Sequence, residues 1–423
     1  APDPRRSACI DDLVGIVEGS NQGAALRPLV AAIGPQITST DIELRGTATR
    51  LMARVLTRLV LGSVSEDALR HLTEFFCARL QDYACAAPVL EAASALVALL
   101  PTSSPLRSQI CDALLDETDV RSLPQAERAA ALRLTLDLSG CGSNSPAGEA
   151  GQVSGLISGV PGTRLVLGVV RAFDGEKDPR NLLLYLQLLR WTCGRCEQVA
   201  ADGFGEAVGE VFDSLEYYFP ISFQPPTDDE NGITQAHLLA ALLRTLGSSR
   251  RFAPLALPFF LKHLTAPRLE DNADVEAEAE APMQSLQAVA TLARAYGADA
   301  LSPHADILAH AMRAQLIQLL SQRAGGSGVA APTQEEATAR LEAICATIRA
   351  LTAACLAAAP HGASVPGMSP AGTAPEDASL ENTSPADTST PNTSGLNGVD
   401  SCASDPRSLL EQILTPFLGV CAL

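Results

Sequence analysis

The spacing of apolar residues is the feature that most limits what this chain can fold into. Over most of the 423 residues they recur every three or four positions, and no segment shows a sustained alternation of apolar and polar residues. From Asp41 onward, for example, one apolar set would share a single helix face: Ala48, Leu51, Met52, Val55, Leu56, Leu59 and Val60. The pattern predicts about 15 helices and no β-sheet.

The predicted helices follow one another after short turns. Helices of roughly 12 to 20 residues in antiparallel pairs, repeating about every 40 residues, are typical of HEAT and armadillo proteins. The predicted fold class is therefore all-α, a HEAT/armadillo-type α-α superhelical solenoid. In such a fold each helix pair buries its apolar face only against its neighbours, so the core is a continuous ribbon.

Helix starts are predicted from side chains that can satisfy the free amides of a first turn. Ser63 and Glu66 have the spacing of a capping box. Asp178 precedes Pro179, whose missing N–H costs nothing in a first turn. We expect a helix to begin at each of these places.

Composition divides the chain into helical blocks and connecting segments. N-terminal HEAT-type repeats are predicted over residues 1–139, and continuing repeats over residues 163–359. A Gly/Ser-rich linker at 140–162 separates the two blocks. Within the second block, the acidic residues at 269–281 are expected to form a connection.

The last part of the sequence changes character twice. Residues 360–404 are dense in Pro, Ser, Thr and Gly and almost lack large apolar residues, so they cannot repay the entropy of folding and are predicted to form a disordered loop. Residues 405–423 have the pattern of a further helix. We expect the sequence to be a fragment of a longer chain.

The charge balance restricts the partners. The chain has 48 Asp and Glu against 30 Lys and Arg, a formal net charge of -18, which argues against direct binding to nucleic acid or to an anionic membrane. Instead we expect protein partners that carry basic patches. The 11 cysteines are dilute and odd in number, which favours a reducing compartment, cytoplasmic and nuclear.

One short motif could carry chemistry. Cys193 and Cys196 form a C-x-x-C pair that is also found in thiol oxidoreductases and in zinc sites. The pair continues an apolar helical stripe, however, and no second pair of metal ligands exists in the sequence. We interpret both residues as core residues, and place Cys345 and Cys355 on a similar stripe. We therefore predict no catalytic, cofactor-binding or metal-binding residues, and no enzymatic activity.

Two features are candidates for contact with a partner. Arg50, Arg54 and Arg58 form a positive stripe that could bind an acidic partner or could simply be a solvated face. The segment 217–223 is strongly apolar and ends in a polar stretch, so it is either an internal brace or a recognition edge. The residues of that polar stretch are Thr227, Asp228, Asp229 and Glu230.

Several stretches resemble a known family. The central ones are Phe173–Leu184 and Tyr218–Pro226, the latter followed by Gly232-Ile233-Thr234, and Phe75–Asp82 and Leu301–His304 add to them. Together they resemble the N-terminal half of the MMS-nineteen (yeast Met-eighteen) family, over about residues 10 to 320.

This resemblance implies a HEAT-repeat scaffold of the cytosolic iron–sulfur protein assembly machinery. Such a scaffold joins a targeting complex with a WD40-propeller protein and a small acidic-cysteine component, mainly through C-terminal repeats. It presents apoproteins of DNA metabolism, such as repair helicases, for cluster insertion, which links it to nucleotide excision repair and to RNA polymerase II transcription.

Two other functions stay open at this point. The first is a HEAT-repeat binding module in nuclear transport or transcription regulation, without any iron–sulfur role. The second is a thiol oxidoreductase that uses Cys193 and Cys196.

Overall fold

The computed structural model describes residues 4–20, 24–141, 160–201, 203–224, 232–265, 275–323 and 334–357. These residues form fifteen α-helices and no β-strand, which confirms the predicted fold class. In chain order the helices are α1 (Pro4–Glu18), α2 (Leu26–Ile37), α3 (Ile42–Arg58), α4 (Glu66–Arg79), α5 (Ala86–Leu99), α6 (Pro105–Asp112), α7 (Gln125–Leu138), α8 (Gly162–Phe173), α9 (Pro179–Gln198), α10 (Phe204–Glu216), α11 (Gln235–Leu246), α12 (Ala253–Thr265), α13 (Val275–Leu301), α14 (Ala305–Arg323) and α15 (Gln334–Ala357).

The helices alternate between two layers. In one layer each odd-numbered helix from α3 to α13 packs against the next odd-numbered helix, and in the other α4 packs on α6, α8 on α10, and α10 on α12. A π-helical turn, Ala113–Glu117, extends α6 until it contacts α8. Consecutive helices such as α4 and α5, or α12 and α13, pack as hairpins that join the layers. The chain is therefore a HEAT/armadillo-type solenoid.

The core runs without a break along this double stack. Buried apolar residues from Ile10 to Leu351 belong to one connected cluster, and most of the odd-numbered helices contribute a leucine with at most 1% of its surface exposed. These leucines are Leu56, Leu96, Leu132, Leu189, Leu242, Leu292 and Leu351. Each helix pair thus seals its apolar face against the pairs before and after it.

No helix in the described part of the chain is by itself long and apolar enough to cross a membrane. Helices Glu66–Arg79 and Tyr83–Leu99 meet that test only when taken together, as a pair bent by 113°.

The two predicted helix starts have different outcomes. Asp178 caps α9 as predicted, because its carboxylate accepts hydrogen bonds from the amides of Arg180 and Asn181 at 3.0 and 3.1 Å. The prediction that Ser63 and Glu66 form a capping box is wrong. Helix α4 begins two residues later, with Ser65 as the cap, since buried Val64 holds the preceding turn against the core.

The connecting segments are only partly described. The acidic segment at 269–281 is helical from Val275 onward, because its alternating Ala and Glu residues are both strong helix formers. Residues 142–159 of the 140–162 linker, the 360–404 segment and the 405–423 segment lie outside the described residues. Those predictions stay predictions.

A buried arginine ties two odd-layer helices together. The guanidinium of Arg107 donates to the carbonyls of Val97 and Leu100 at 2.9 and 3.4 Å, in and just after the last turn of α5. It also donates to those of Asp137 and Leu138 at 2.6 and 3.3 Å, at the end of α7. Because the last carbonyls of a helix have no partner within the helix, one side chain satisfies two helix ends.

We expect Arg107→Met to lower the free energy of unfolding by about 3 kcal/mol, since it removes a buried donor that four helix-end carbonyls share. Urea denaturation followed by circular dichroism measures the change. Arg133→Met, at an exposed position of α7, is the matched control and should change stability by less than about 0.5 kcal/mol. Equal effects of the two substitutions would contradict this role of Arg107.

Candidate functional site

The predicted arginine stripe lies on the exposed side of α3. Arg50, Arg54 and Arg58 are all exposed, but Arg58 forms an ion pair with Asp11 of α1. Arg50 and Arg54 have no carboxylate partner among the described residues. The stripe is thus in part an internal tie between helices. The other predicted contact residues, Thr227, Asp228, Asp229 and Glu230, lie outside the described residues.

The C-x-x-C pair is part of the core. Cys193 and Cys196 are free thiols on α9, and neither exposes any side-chain surface. Burial raises the pKa of Cys196 to about 11 and that of Cys193 further, so both thiols are protonated at neutral pH. Protonated, buried thiols are poor nucleophiles, which supports the interpretation as packing residues.

The prediction that Cys345 lies on a buried apolar stripe is wrong. This residue is exposed on α15, whose buried stripe consists of Ile344, Thr347 and Leu351 instead. Cys345 follows the buried Ile344 directly and therefore projects to another side of the helix. The side chain of Cys355 lies outside the described residues. Among the described side chains, no three His, Cys, Asp or Glu residues are arranged to hold a metal ion.

The first of the two central motifs forms a corner around the carboxylate of Glu176. This side chain is buried and accepts two hydrogen bonds from Arg128 of α7, at 2.7 and 2.9 Å. The amides of the next two residues donate to it at 3.0 Å each, and the amide group of Asn181 donates at 3.3 Å. Burial alone would raise the pKa of Glu176, but these hydrogen bonds outweigh it and hold the pKa below the ordinary value.

A second network extends the corner to α10. The hydroxyl of Ser214 donates to the carboxylate of Asp174 at 2.6 Å, so it accepts the hydrogen bond from the hydroxyl of Tyr185 at 2.9 Å. Between Asp174 and Glu176, Gly175 has a φ of 76°, a left-handed conformation that favours glycine. The motif therefore joins α7, α8, α9 and α10 and is structural.

The second central motif is an internal brace, the first of its two predicted alternatives. Phe219 is buried and stacks edge-on against Phe260, with ring centroids 4.9 Å apart. The backbone of Ile221 exchanges two hydrogen bonds with the side-chain amide of Gln284 on α13, at 3.0 and 2.8 Å, and also accepts one from Gln235 of α11. These bonds fix the chain after α10 between α11, α12 and α13.

An open groove lies between α2 and α4, with a volume of about 700 Å³. Its walls include half-buried Val30 and Phe75, its floor includes Met52 of α3, and Arg27 and His71 are at its rim. Half-buried aromatic and aliphatic side chains in such a groove can bind the apolar face of a partner helix. Sequence reasoning missed the groove, because the periodicity shows what each helix buries but not how closely two helices approach.

The comparisons with known proteins bear on these motifs. Residues 30–318 match the family model described as Dos2-interacting transcription regulator of RNA-Pol-II, MMS19_N. The match covers more than half of the chain. This chain belongs to the MMS19 family. The matched range runs from within α2 to within α14 and contains both central motifs and most of the groove.

Curated relatives of this MMS19-family chain are considerably longer. The zebrafish (Danio rerio) MMS19 nucleotide excision repair protein homolog is 29% identical over 308 residues, which are 72% of this chain and 27% of the zebrafish protein. The mouse (Mus musculus) homolog of the same name is 28% identical over 311 residues, 73% of this chain and 27% of its own. The DNA repair/transcription protein mms19 of Schizosaccharomyces pombe is 27% identical over 266 residues, 63% of this chain and 24% of its own. The matched region thus spans about a quarter of each relative.

Thiol reactivity tests the burial of the C-x-x-C pair. In the native MMS19-family chain, N-ethylmaleimide should modify exposed Cys9 and Cys345 rapidly and leave Cys193 and Cys196 unmodified until denaturant is added. Peptide mass spectrometry of quenched time points gives the rate at each cysteine. Rapid modification of Cys193 in the folded protein would instead support the oxidoreductase.

The Glu176 corner has a pH-dependent signature. Because its folded pKa is below the ordinary value of 4.5, Glu176 stabilises the fold above that value and loses this contribution as the pH falls through the folded pKa. Glu176→Gln should therefore cost about 2 kcal/mol at neutral pH, and the difference from wild type should shrink in acid. Denaturation midpoints at several pH values measure it. Glu210→Gln, at an exposed site in the middle of α10, is the control and should change the stability by less than about 0.5 kcal/mol at any pH.

Proposed function

We propose that this chain is a partner-binding arm of a non-enzymatic adaptor in the cytosolic iron–sulfur assembly targeting complex. The adaptor presents apoproteins of DNA replication and repair for cluster insertion, with links to nucleotide excision repair and RNA polymerase II transcription. The observation that carries the proposal is the family match over residues 30–318, which extends through almost the whole described solenoid. The names of the relatives, nucleotide excision repair and DNA repair/transcription, agree with such a role.

The geometry of the chain supports an adaptor more than a catalyst. The two motifs that carry the family resemblance hold helices together, and the C-x-x-C thiols are buried. A solenoid instead offers a long continuous surface, which suits the binding of several proteins at once. The proposed partners are the WD40-propeller and small acidic-cysteine components, and clients such as repair helicases. The proposed locations are the nucleus, where repair and transcription occur, and the cytoplasm.

One observation favours a second candidate function. The matching family model is described as a transcription regulator of RNA-Pol-II, which also suits a transcription-regulator binding module without an iron–sulfur role. The two candidates differ in whether loss of the protein deprives a client of iron.

Radioactive iron incorporation separates these candidates. In cells that lack the endogenous full-length protein, we expect ⁵⁵Fe in an immunoprecipitated repair helicase to fall severalfold and to be restored by the wild-type protein. The double variant Cys193→Ala/Cys196→Ala should restore it equally, since these residues only pack in the core.

Two results would contradict the proposal. Unchanged iron incorporation in the cells that lack the protein would favour the transcription module. Failure of the folded double cysteine variant, at a normal cellular level, would favour the thiol oxidoreductase. The cellular level of each variant is the control for stability.

A further inference from the structure

Four exposed arginines lie on successive helices of the odd-numbered layer. They are Arg190 on α9, Arg244 on α11, Arg294 on α13 and Arg349 on α15, and we refer to them as the arginine row. Each comes from a helix whose other sides are buried against neighbouring helices. The row is separate from the stripe on α3, since α5 between them has Glu91 and alanines at its exposed positions.

Hydrogen bonds between the helices set the level of each arginine. The hydroxyl of Thr245, next to Arg244, donates to the carbonyl of Leu186 at 2.9 Å, one turn before Arg190. The hydroxyl of Tyr296, two residues after Arg294, donates to the carbonyl of Leu246 at 3.2 Å.

The same kind of bond connects α13 and α15, the last two helices of the row. The hydroxyl of Thr347, two residues before Arg349, donates to the carbonyl of Leu286 on α13 at 3.1 Å. Measured along the helix axes, all four arginines therefore lie within about two helical turns of their mean position. With neighbouring helices about 8 to 10 Å apart, they form a row with one positive charge per helix.

Among the described residues, no carboxylate forms a salt bridge with an arginine of the row. No described carboxylate lies within salt-bridge distance of any of the four, whereas arginines between repeats, such as Arg45 and Arg164, are paired with Asp82 and Asp116. Helix α11 contains no Asp or Glu at all. The exposed acids of this region include Glu206, Glu210, Asp213 and Glu216 on α10 of the other layer, as well as Asp299 on α13 and Glu342 on α15. Among the described side chains of α9, α11, α13 and α15, exposed arginines therefore outnumber exposed carboxylates.

We propose that the arginine row binds an extended acidic segment of a partner protein, with a carboxylate at every third residue. A polyproline II chain has three residues per turn and rises about 9 Å in that distance, which is close to the 8 to 10 Å between neighbouring helices, and the long arginine side chains span the offset in level from one helix to the next. Each carboxylate could then receive a bidentate hydrogen bond from one guanidinium. Half-buried Trp191, next to Arg190, offers an aromatic surface for the proline residues between them.

The charge of the whole chain favours such a peptide over nucleic acid. A nucleic acid carries a charge at every nucleotide, and its long-range repulsion by a chain of net charge -18 would offset contacts with four arginines. A peptide with one carboxylate in three residues is repelled less and needs no other basic groups.

Binding of synthetic peptides to the whole 423-residue chain tests the row. The probe is a fluorescein-labelled peptide of Glu-Pro-Pro repeats, measured by fluorescence anisotropy at low and physiological salt. Arg190→Glu/Arg244→Glu should weaken binding about tenfold or more. Arg121→Glu/Arg313→Glu alters the net charge by the same amount at exposed positions outside the row and the stripe, and should change the affinity less than about twofold. A peptide of equal composition with its glutamates grouped together should bind more weakly.

Four results of these binding assays would overturn the inference. They are an absence of peptide binding, equal losses in the two double variants, equal binding of the two peptides, and tighter binding of a single-stranded oligonucleotide of similar length through the same arginines.

The segment 360–404, which has five carboxylates and no Lys or Arg, needs its own control. Its deletion should leave peptide affinity unchanged, and a tenfold gain would show that this segment, rather than a partner, occupies the row. The assay needs no assembly component, so it is independent of the proposed function.

Discussion

The apolar side of each helix pair in this molecule is buried by the adjacent helix pairs. The apolar side of a helix such as α9 is covered by α7 and α11 in its own layer and by α8 from the other layer, and the same holds along the stack. Because no pair can remove its apolar surface from water alone, the free energy of folding resides in the contacts between pairs. Each exposed side is then left free to vary, as the groove on one layer and the arginine row on the other illustrate.

Apolar contact by itself would allow the helices to slide past one another, and buried polar bonds oppose this. Arg107 satisfies the ends of α5 and α7, Thr245 bonds a carbonyl of α9, and Gln284 holds the backbone of Ile221. Each of these groups would be left buried without a partner if the helices shifted by one turn. The bonds therefore specify the register that the apolar core leaves open.

Local chemistry explains which features could be predicted from the sequence. Periodicity and composition indicated the helices, the buried pair Cys193 and Cys196, and a packed segment around Phe219. Features that depend on several distant helices could not be found this way: the arginine row joins residues from Arg190 to Arg349, and the groove arises where α2 and α4 stay apart. Local signals also failed by one or two positions, as at Ser65 and Cys345, since tertiary packing decides where a turn ends and which side of a helix is covered.

The corner around Glu176 has a consequence for how such chains can change. Arg128 and Gln125 of α7 bond directly to Glu176 and Asn181, so α7 is fastened to the start of α9 by bonds between side chains and backbone that lie outside the joining sequence. The relative placement of the two repeat blocks is then independent of the length of that joining sequence. Homologous chains could gain or lose residues there and keep the same superhelix, which makes this position a natural place for lineage-specific insertions or for an engineered tag.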